Sequence, residues 1–316
     1  MDDKTVVLNA GLVNYDGKVD YHRIASEVVV YDETPEDQIL ERVAGFDIVV
    51  TKEMKVAGDI IRKFPDSVKL ICEAGTGYNN IDLDAARDRG IVVCNIPAYS
   101  TARVAHTAIL LILSLASSMQ KQIRMLARGD RDNFHDHLMV DHVEVNGKTL
   151  GVIGYGNIAR EMIKVAQALG MNILVGTRSA RPDADGIHFT TNDEVFERSD
   201  FISLNCPLNA ATKHMINRRT LAMMKPTAYV INTARGALID EEALIEAVRT
   251  GVIAGAGLDV QEVEPLDDAS PLFTMDDVII TPHMGWRGLE TRQRLVAMIG
   301  DNIRAFSEGH PINRVD

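Results

Sequence analysis

Short runs of apolar, β-branched residues recur along the chain and alternate with longer stretches of helical periodicity. In the first hundred residues these runs predict strands at 6–9, 28–31, 47–51, 69–72 and 91–94. A second series predicts strands at 149–154, 172–176, 201–204, 228–231, 253–258 and 278–281. Strand, helix and strand at this spacing favour parallel pairing through crossover helices. Unbroken apolar runs such as Ile48-Val49-Val50 are typical of strands that are covered on both faces.

Helical periodicity fills several of the gaps between these runs, at 34–43, 158–169, 241–250 and 289–308. A longer helix is predicted from 102 to about 128, and it is apolar on several faces. Such a helix needs more than one packing partner, so it is interpreted either as a dimer element or as a helix buried within one chain. The polar segment 129–148 carries His135, Asp136, His137, Asp141 and His142. Their spacing matches no standard metal site, and we predict none.

The length and charge of the chain narrow the possible partners. A chain of 316 residues suggests about two domains, and the pattern breaks near residue 100. With 33 Lys and Arg against 45 Asp and Glu, the net charge is −12, which disfavours a nucleic-acid partner. Cys72, Cys94 and Cys206 have no zinc spacing and fit a reducing compartment. No signal-peptide pattern is present, and the longest apolar run is shorter than the ~20 residues of a membrane span. We therefore expect a cytoplasmic chain without a membrane partner.

A glycine-rich motif is the clearest local feature. Gly154, Gly156 and Ala159 form G-x-G-x-x-A directly after a predicted strand and at the start of a predicted helix. Gly154 permits the tight turn, and Gly156 lets the main chain approach a pyrophosphate, which the helix N-terminus then binds. Methyltransferases and simple turns share the motif, but its position between strand and helix favours a dinucleotide.

The end of the next predicted strand bears on the choice of dinucleotide. An NAD site usually has an acid there for the ribose hydroxyl, whereas this chain has Thr177, Arg178 and Ser179. A guanidinium flanked by hydroxyls suits a 2′-phosphate, and Arg181 adds charge nearby. We predict NADP as the preferred cofactor. NAD is the alternative, with Arg178 solvated or stacked on adenine.

Three ionisable residues follow predicted strands of the same series: Arg235, Glu264 and His283. Open α/β sheets bind ligands at these strand ends. Reduction of a carbonyl by a nicotinamide requires a proton donor, which a histidine beside a carboxylate provides. An arginine binds the carboxylate of a 2-keto acid through two parallel hydrogen bonds. Each residue alone has a simpler structural interpretation, but together they indicate hydride transfer.

The chain resembles the D-isomer-specific 2-hydroxyacid dehydrogenases over nearly its full length. The matching motifs are Ala-Gly-Thr-Gly-Tyr-Asn-Asn-Ile-Asp at 74–82, Asn-Ile-Pro-Ala-Tyr-Ser-Thr at 95–101, the glycine motif, Asn-Thr-Ala-Arg-Gly at 232–236, Gly-Leu-Asp at 257–259, Glu-Pro at 264–265 and Thr-Pro-His at 281–283. Within that family it is most similar to the glycerate dehydrogenases, or hydroxypyruvate reductases.

The resemblance implies an α/β fold of two doubly wound parallel-sheet domains. A Rossmann cofactor domain, 100–284, is inserted into a flavodoxin-like substrate domain, 1–99 and 285–316, and the long helix after Thr101 builds a homodimer. His283 would be the acid/base, Glu264 its partner and Arg235 the clamp on the substrate carboxylate, with backbone amides of Gly75, Thr76 and Gly77. The implied cofactor contacts are Thr76, Gly154, Gly156, Asn157, Ile158, Thr177, Arg178, Ser179, Cys206, Pro207, Thr212, Thr233, Ala234, Arg235, Asp259 and His283.

Four departures from the family pattern refine the expected activity. Thr177 replaces the Asp of NAD-using members, and Glu73 stands where phosphoglycerate-specific members carry Arg. An acid there would repel a substrate phosphate, and Lys52 offers one charge where such a substrate needs an arginine. His106 replaces the usual Glu or Gln, and the sequence offers no physical explanation for this change.

We expect reduction of hydroxypyruvate, glyoxylate or a similar short 2-keto acid with NADPH. The alternatives are an NAD-dependent D-lactate-type or phosphoglycerate dehydrogenase, and a dinucleotide-sensing binding protein similar to the C-terminal-binding-protein corepressors.

Overall fold

The computed structural model describes residues 3–179 and 181–316, which fold into two compact units. The first unit runs to Ser100 and includes Trp286–Asp316, and the second is Thr101–Gly285. The strands are β1 (Lys4–Val7), β2 (Glu27–Val30), β3 (Ile48–Thr51), β4 (Leu70–Glu73), β5 (Val92–Cys94), β6 (Thr149–Ile153), β7 (Asn172–Gly176), β8 (Ile187–Thr190), β9 (Phe201–Leu204), β10 (Tyr229–Asn232), β11 (Gly255–Leu258) and β12 (Val278–Ile280).

The α-helices lie between these strands and after the last of them. They are α1 (Ile39–Arg42), α2 (Gly58–Ile61), α3 (Leu83–Asp88), α4 (Thr101–Ala116), α5 (Met119–Ala127), α6 (Asp132–His135), α7 (Asn157–Ala168), α8 (Asn192–Arg198), α9 (Arg218–Leu221), α10 (Glu241–Arg249) and α11 (Leu289–Ser307). The helix predicted at 34–43 begins as a 3₁₀ turn, Glu36–Gln38, before α1.

Each unit is built on one parallel sheet. The first has the order β2-β1-β3-β4-β5, which is the flavodoxin-like order. The second has the order β12-β11-β10-β9-β6-β7-β8, which is the Rossmann order extended by one strand. All strand pairs are parallel. The predicted fold class, two doubly wound parallel-sheet domains, is therefore confirmed.

The order of the second sheet determines where a ligand fits. Strands β6 and β9 are neighbours, although β7 and β8 come between them in the chain. The direction of winding reverses at this pair, so the crossover helices leave on opposite faces and open a crevice beyond the carboxyl ends of β6 and β9. The glycine motif follows β6, and Cys206 follows β9. The sequence analysis did not predict β8, a short edge strand beside β7.

The long helix predicted from 102 to about 128 is two helices, so that prediction was wrong in its continuity. Helices α4 and α5 meet at an angle of 65°. Ser118, between them, has a left-handed φ of 46°, and its hydroxyl donates to the carbonyl of Asp141 at 2.6 Å. The left-handed backbone of Ser118, whose hydroxyl is bonded to a residue 23 positions further along the chain, interrupts the helix at this point.

Helices α4 and α5 are rich in apolar residues, which raises the question of whether either is suited to cross a membrane. Within the two described ranges, no single helix is long and apolar enough to cross a membrane. The bent pair α4 and α5 passes that test only when the two helices are taken together.

Candidate active site and dinucleotide site

The glycine motif forms the turn between β6 and α7. Gly154 has a φ of 93°, and a Cβ there would lie 2.8 Å from the carbonyl oxygen of Asn205. A Cβ on Gly156, in contrast, would meet no atom of the described chain within 4 Å. No described side chain caps the start of α7. Open space in front of uncapped helix N–H groups fits a dinucleotide pyrophosphate at Gly156, Asn157 and Ile158.

Two arginines stack on the tyrosine between the two glycines. The guanidinium carbons of Arg160 and Arg181 lie 4.7 and 5.2 Å from the centre of the Tyr155 ring. Arg181 also lies 4.3 Å from the ring centre of Phe189. These cation–π contacts place two positive charges beside the glycine turn, where an anionic cofactor would bind. The sequence analysis did not single out Arg160, which lies one turn into α7 and close to the motif.

The loop after β7 carries the three polar residues that were predicted to decide between NAD and NADP, which are Thr177, Arg178 and Ser179. Arg178 and Ser179 are exposed. The Thr177 hydroxyl donates to the carbonyl of Ser179 at 2.8 Å, and the Thr177 amide donates to the carbonyl of Thr190 at 3.0 Å. Thr177 therefore shapes this loop, and its hydroxyl oxygen still has the capacity to accept a hydrogen bond. None of these three residues is acidic, so the stretch lacks the carboxylate that an NAD site usually has for the ribose hydroxyl.

The loop after β9 contacts the glycine turn. A Cβ on Gly154 would lie 2.9 Å from the amide nitrogen of Cys206. Burial raises the pKa of the Cys206 thiol, so the thiol forms a neutral part of this loop. Thr212 donates from its hydroxyl to the carbonyl of Pro207 at 2.7 Å and accepts from the amide of Asn209 at 2.9 Å. The Thr212 side chain thereby closes the loop that carries Cys206 and Pro207.

Asn232 holds the loop that carries Arg235. Its fully buried side-chain amide donates to the carbonyl of Arg235 at 2.8 Å and accepts from the amide of Ala234 at 3.0 Å. These two bonds fix Thr233 and Ala234 in a turn directly after β10. Arg235 is partly buried, and its Nη1 donates to the carbonyl of Ala234 at 2.7 Å. The sequence analysis gave Asn232 no role, although an asparagine directly after a strand is a common turn former.

Gly236 brings the arginine loop against the loop that carries the acid. A Cβ on Gly236 would lie 1.7 Å from the carbonyl oxygen of Gln261, which only glycine avoids. Three residues later Glu264 accepts from the Gln261 amide through Oε1 at 3.0 Å. The loops after β10 and β11 are therefore in direct contact.

Glu264 and His283 form a hydrogen-bonded pair. Glu264 Oε2 lies 2.8 Å from Nδ1 of His283. The histidine has a left-handed φ of 49°, and its amide donates to the carbonyl of Asp259 at 2.9 Å. A carboxylate at Nδ1 fixes the ring orientation and favours a proton on that nitrogen. In the described chain nothing hydrogen-bonds to Nε2, which remains available for proton exchange.

Asp259 anchors the loop that carries His283. It is 1% exposed, and its Oδ1 accepts from the Thr281 hydroxyl at 2.6 Å and from the Met284 amide at 2.8 Å. Its Oδ2 accepts from the Gly285 amide at 2.8 Å. The implied contact with the nicotinamide carboxamide stays a prediction. The structure gives this carboxylate a positioning role that the sequence analysis had not assigned.

The first unit carries the glycine stretch predicted to bind the substrate carboxylate. The Gly75 amide donates to the carbonyl of Glu73 at 2.8 Å and so differs from the free amide that the resemblance implied. The amides of Thr76 and Gly77 make no hydrogen bond within the described chain. Asn95 donates from its side chain to the carbonyl of Thr76 at 2.8 Å, and the Thr76 hydroxyl donates to the carbonyl of Ile96 at 3.1 Å. These bonds hold the stretch against the end of β5.

Glu73, which was expected to repel a substrate phosphate, is not an exposed acid beside that stretch. It is fully buried, and it accepts from the Thr51 hydroxyl at 2.7 Å, the Glu53 amide at 2.8 Å and the Asn80 side chain at 3.0 Å. Burial, as the largest effect, raises the pKa of Glu73. Its carboxyl group therefore acts first as an internal anchor for the loops after β3 and β4.

The histidine-rich segment was the candidate for metal binding in the sequence. Among the described residues, no group of three or more His, Cys, Asp or Glu side chains lies close enough together to bind an ion there. His106 is exposed on α4, and nothing in the structure explains it.

Comparison with known proteins identifies one family. Residues 109–285 match the family model described as the NAD binding domain of D-isomer specific 2-hydroxyacid dehydrogenases. A hydroxypyruvate reductase from Blautia hydrogenotrophica is 34% identical over 99% of both chains. A D-3-phosphoglycerate dehydrogenase from Methanocaldococcus jannaschii is 38% identical over 90% of this chain and 54% of its own. Among solved structures, a glyoxylate reductase from Paecilomyes thermophila has a TM-score of 0.86 at 32% identity, covering 100% of this chain and 99% of its own.

Proposed function

The chain belongs to the D-isomer-specific 2-hydroxyacid dehydrogenases, which are NAD(P)-dependent enzymes, and we propose that it reduces hydroxypyruvate or glyoxylate with NADPH. The observation that carries this proposal is the hydrogen bond between Glu264 and His283, in the same unit as the glycine turn. Relatives named hydroxypyruvate reductase and glyoxylate reductase support this substrate class.

In the proposed reaction His283 supplies the proton. A nicotinamide cofactor held at the glycine turn of Gly154 and Gly156 would supply the hydride that reduces the carbonyl carbon of the 2-keto acid. As the C=O double bond becomes a single bond, negative charge develops on its oxygen, and Nε2 of the imidazolium donates a proton there. The product is a 2-hydroxy acid, and His283 is left neutral. Glu264 stabilises the imidazolium before transfer and keeps its ring aimed through Nδ1.

Arg235 would hold the carboxylate of the substrate. One of its five N–H donors is used on the carbonyl of Ala234, and the rest of the guanidinium can form the paired bonds that a carboxylate accepts. Asn232 fixes the turn beneath it, so little conformational entropy is lost on binding. In the first unit the Gly75 amide is already used, so the amides of Thr76 and Gly77 are the ones left for the carboxylate-binding role that the resemblance implied.

NADPH is the proposed cofactor because of the charges near the end of β7. Arg178 is exposed, Arg160 and Arg181 stack on Tyr155, and the stretch 177–179 contains no acid. A 2′-phosphate would gain charge-assisted hydrogen bonds there and meet no carboxylate from that stretch.

A homodimer is the proposed assembly. Large apolar side chains stand exposed on and after α4 and α5: Leu110, Leu113, Met119, Ile123, Leu126, Phe134, Leu138, Met139 and Val143. Apolar residues concentrated on one continuous stretch are typical of an interface, and a second copy would cover the same stretch on its partner.

The test is a panel of 2-keto acids with the purified protein, followed by the oxidation of NADPH and NADH. We expect turnover of hydroxypyruvate and glyoxylate, with higher kcat/KM for NADPH. His283→Gln should lower kcat by about 10²- to 10⁴-fold, because the general acid is lost. His188→Gln is a matched control, since His188 also pairs through Nδ1 with a carboxylate, Asp183, at 2.7 Å. With saturating cofactor its kcat should stay close to that of the wild type.

Other results of the same assay would favour one of the alternative functions. Preference for pyruvate or a phosphorylated keto acid with NADH would favour a D-lactate-type or a phosphoglycerate dehydrogenase. Cofactor binding without turnover of any 2-keto acid would favour a dinucleotide-sensing binding protein and overturn the proposal.

A further inference from the structure

A buried lysine follows β3 in the first unit. Lys52 is 2% exposed, although a lysine is almost never buried without a partner. Asn9 fixes its backbone, because the Lys52 amide donates to Asn9 Oδ1 at 2.8 Å and the Asn9 side chain donates to the Lys52 carbonyl. The ammonium lies 4.1 Å from the ring centre of Trp286 and pairs with Glu53.

One carboxylate pairs with this ammonium, and a second carboxyl group, that of Glu73, lies nearby. Glu53 has a left-handed φ of 53°, and its amide donates to Oε1 of the buried Glu73 at 2.8 Å. A non-glycine residue held in that conformation costs free energy, so the surrounding bonds must enforce it. This turn therefore joins Glu53, the ion-pair partner of Lys52, to the buried Glu73. Because Glu53 already offsets its charge, this site has no excess positive charge for a second anion.

The ammonium also borders the glycine stretch at the end of β4. A Cβ on Gly75 would lie 3.3 Å from Nζ of Lys52 and 3.3 Å from Oε1 of Glu73. The next two residues, Thr76 and Gly77, supply the amides proposed to bind the substrate carboxylate. A small molecule held by those amides would therefore have Lys52 as a close polar neighbour.

We propose that Lys52 determines substrate specificity by donating a hydrogen bond to a neutral oxygen on C3 of the 2-keto acid. This inference rests on the proposed function and deepens it. Of the three N–H donors of the ammonium, one serves Glu53 and the ring of Trp286 covers a second direction, which leaves a donor for the substrate. A hydroxyl group matches the balanced charge, whereas a phosphate or a second carboxylate does not.

The first experiment uses the unmodified protein and two substrates that differ only in that hydroxyl. We expect kcat/KM for hydroxypyruvate to exceed that for pyruvate by about tenfold to a hundredfold, since a buried donor is left unpaired by pyruvate. A ratio near one would overturn the role of Lys52. It would leave the proposed function standing if glyoxylate is still reduced.

The second experiment changes the lysine. Lys52→Met should lower the hydroxypyruvate-to-pyruvate ratio by about tenfold or more, and Lys52→Arg should restore part of it. Lys55→Met is the matched control, because Lys55 is exposed in the same segment, and its ratio should equal that of the wild type. An unchanged ratio in Lys52→Met would overturn the inference. If Lys52→Met does not fold, the hydroxypyruvate-to-pyruvate ratio of kcat/KM in the wild type is the test of the inference. Failure to reduce any 2-keto acid would instead contradict the proposed function.

Discussion

Arg178 stands at the end of β7 with its side chain exposed, in a stretch that contains no acid. A guanidinium in this position interacts with a phosphate far more strongly than with a ribose hydroxyl, because the phosphate is charged and accepts two bonds at once. NADPH and NADH differ only in this phosphate, so a substitution of Arg178 distinguishes the two cofactors experimentally.

We expect Arg178→Ala to raise the KM for NADPH and to leave that for NADH almost unchanged. The loss of one charge-assisted contact corresponds to very roughly 1–3 kcal/mol in kcat/KM. Steady-state kinetics with both cofactors at saturating keto acid measure this difference. Arg249→Ala, an exposed arginine on α10, is the control and should affect neither cofactor. Equal losses for NADPH and NADH would contradict the assignment of Arg178.

At the residue scale, the sequence predicted the reactive side chains better than it predicted the hydrogen bonds that hold their loops in place. His283 and Glu264 were assigned to each other from their chemistry together with the family resemblance, and they lie within hydrogen-bond distance. Asn232 and the three bonds of Asp259 were not foreseen. A buried polar side chain is chosen by the precise path of the loop around it, and a sequence pattern does not specify that path.

Helix α11 is attached to the start of the chain by one buried guanidinium. Arg292 is 2% exposed, and it donates to the Val13 carbonyl at 2.7 Å and to both oxygens of Asp16 at 2.8 and 2.7 Å. Its guanidinium carbon also lies 4.4 Å from the ring centre of Tyr15. A bidentate pair that satisfies a buried arginine is costly to break, because the remaining charge would be left unpaired.

The pair makes the stability of the first unit depend on acid pH. The hydrogen bond from Arg292 lowers the pKa of Asp16 from 3.8 to about 2. The fold therefore stabilises the ionised form, and this stabilisation is present above pH 3.8 and is lost as the pH falls towards 2. Asp16→Asn should lower Tm at neutral pH, and the difference from the wild type should shrink across that window.

Thermal unfolding followed by circular dichroism at a series of pH values tests this expectation. Asp84→Asn serves as the control, since Asp84 pairs with Arg87 on an exposed face. An exposed pair contributes little, so its Tm difference should be small at every pH. A constant difference between Asp16→Asn and the wild type down to about pH 2 would rule out the linkage.

At the element scale the periodicity of the sequence was sufficient for most of the fold. Buried parallel strands appear as uninterrupted apolar runs, and those runs placed eleven of the twelve strands found in the described residues. The short strand β8 was missed because its alternating residues, Ile-His-Phe-Thr, are too few to stand out beside a polar loop. The break between α4 and α5 was missed because the apolar pattern continues across it while the left-handed backbone of Ser118 interrupts the helix.

For the whole molecule, the apolar surface along α4, α5 and the segment after them is the feature that most needs a partner. Ile123 is 59% exposed and Phe134 is 71% exposed. Leaving such side chains in water costs free energy that burial against a second copy would recover.

Ile123→Asp should therefore convert a dimer into a monomer, because a carboxylate would have to be buried unpaired at the interface. Sedimentation velocity over a range of protein concentrations gives the masses directly. Ile312→Asp places the same charge on an apolar residue that is 45% exposed in the other unit, and it should leave the dimer intact. A wild-type chain that sediments as a monomer at high concentration would refute the proposed assembly.

The division of the first unit between two distant stretches of chain has a consequence for biosynthesis. Leu295, Ile299 and Ile303 of α11 complete the apolar core that β4 and β5 begin. During translation the N-terminal hundred residues must wait for nearly two hundred more before that core can close, whereas the second unit is contiguous and can fold as soon as it emerges. The earlier stretch of the first unit is therefore completed only after the second unit has emerged, and until then its exposed sheet is the surface that a chaperone would have to protect.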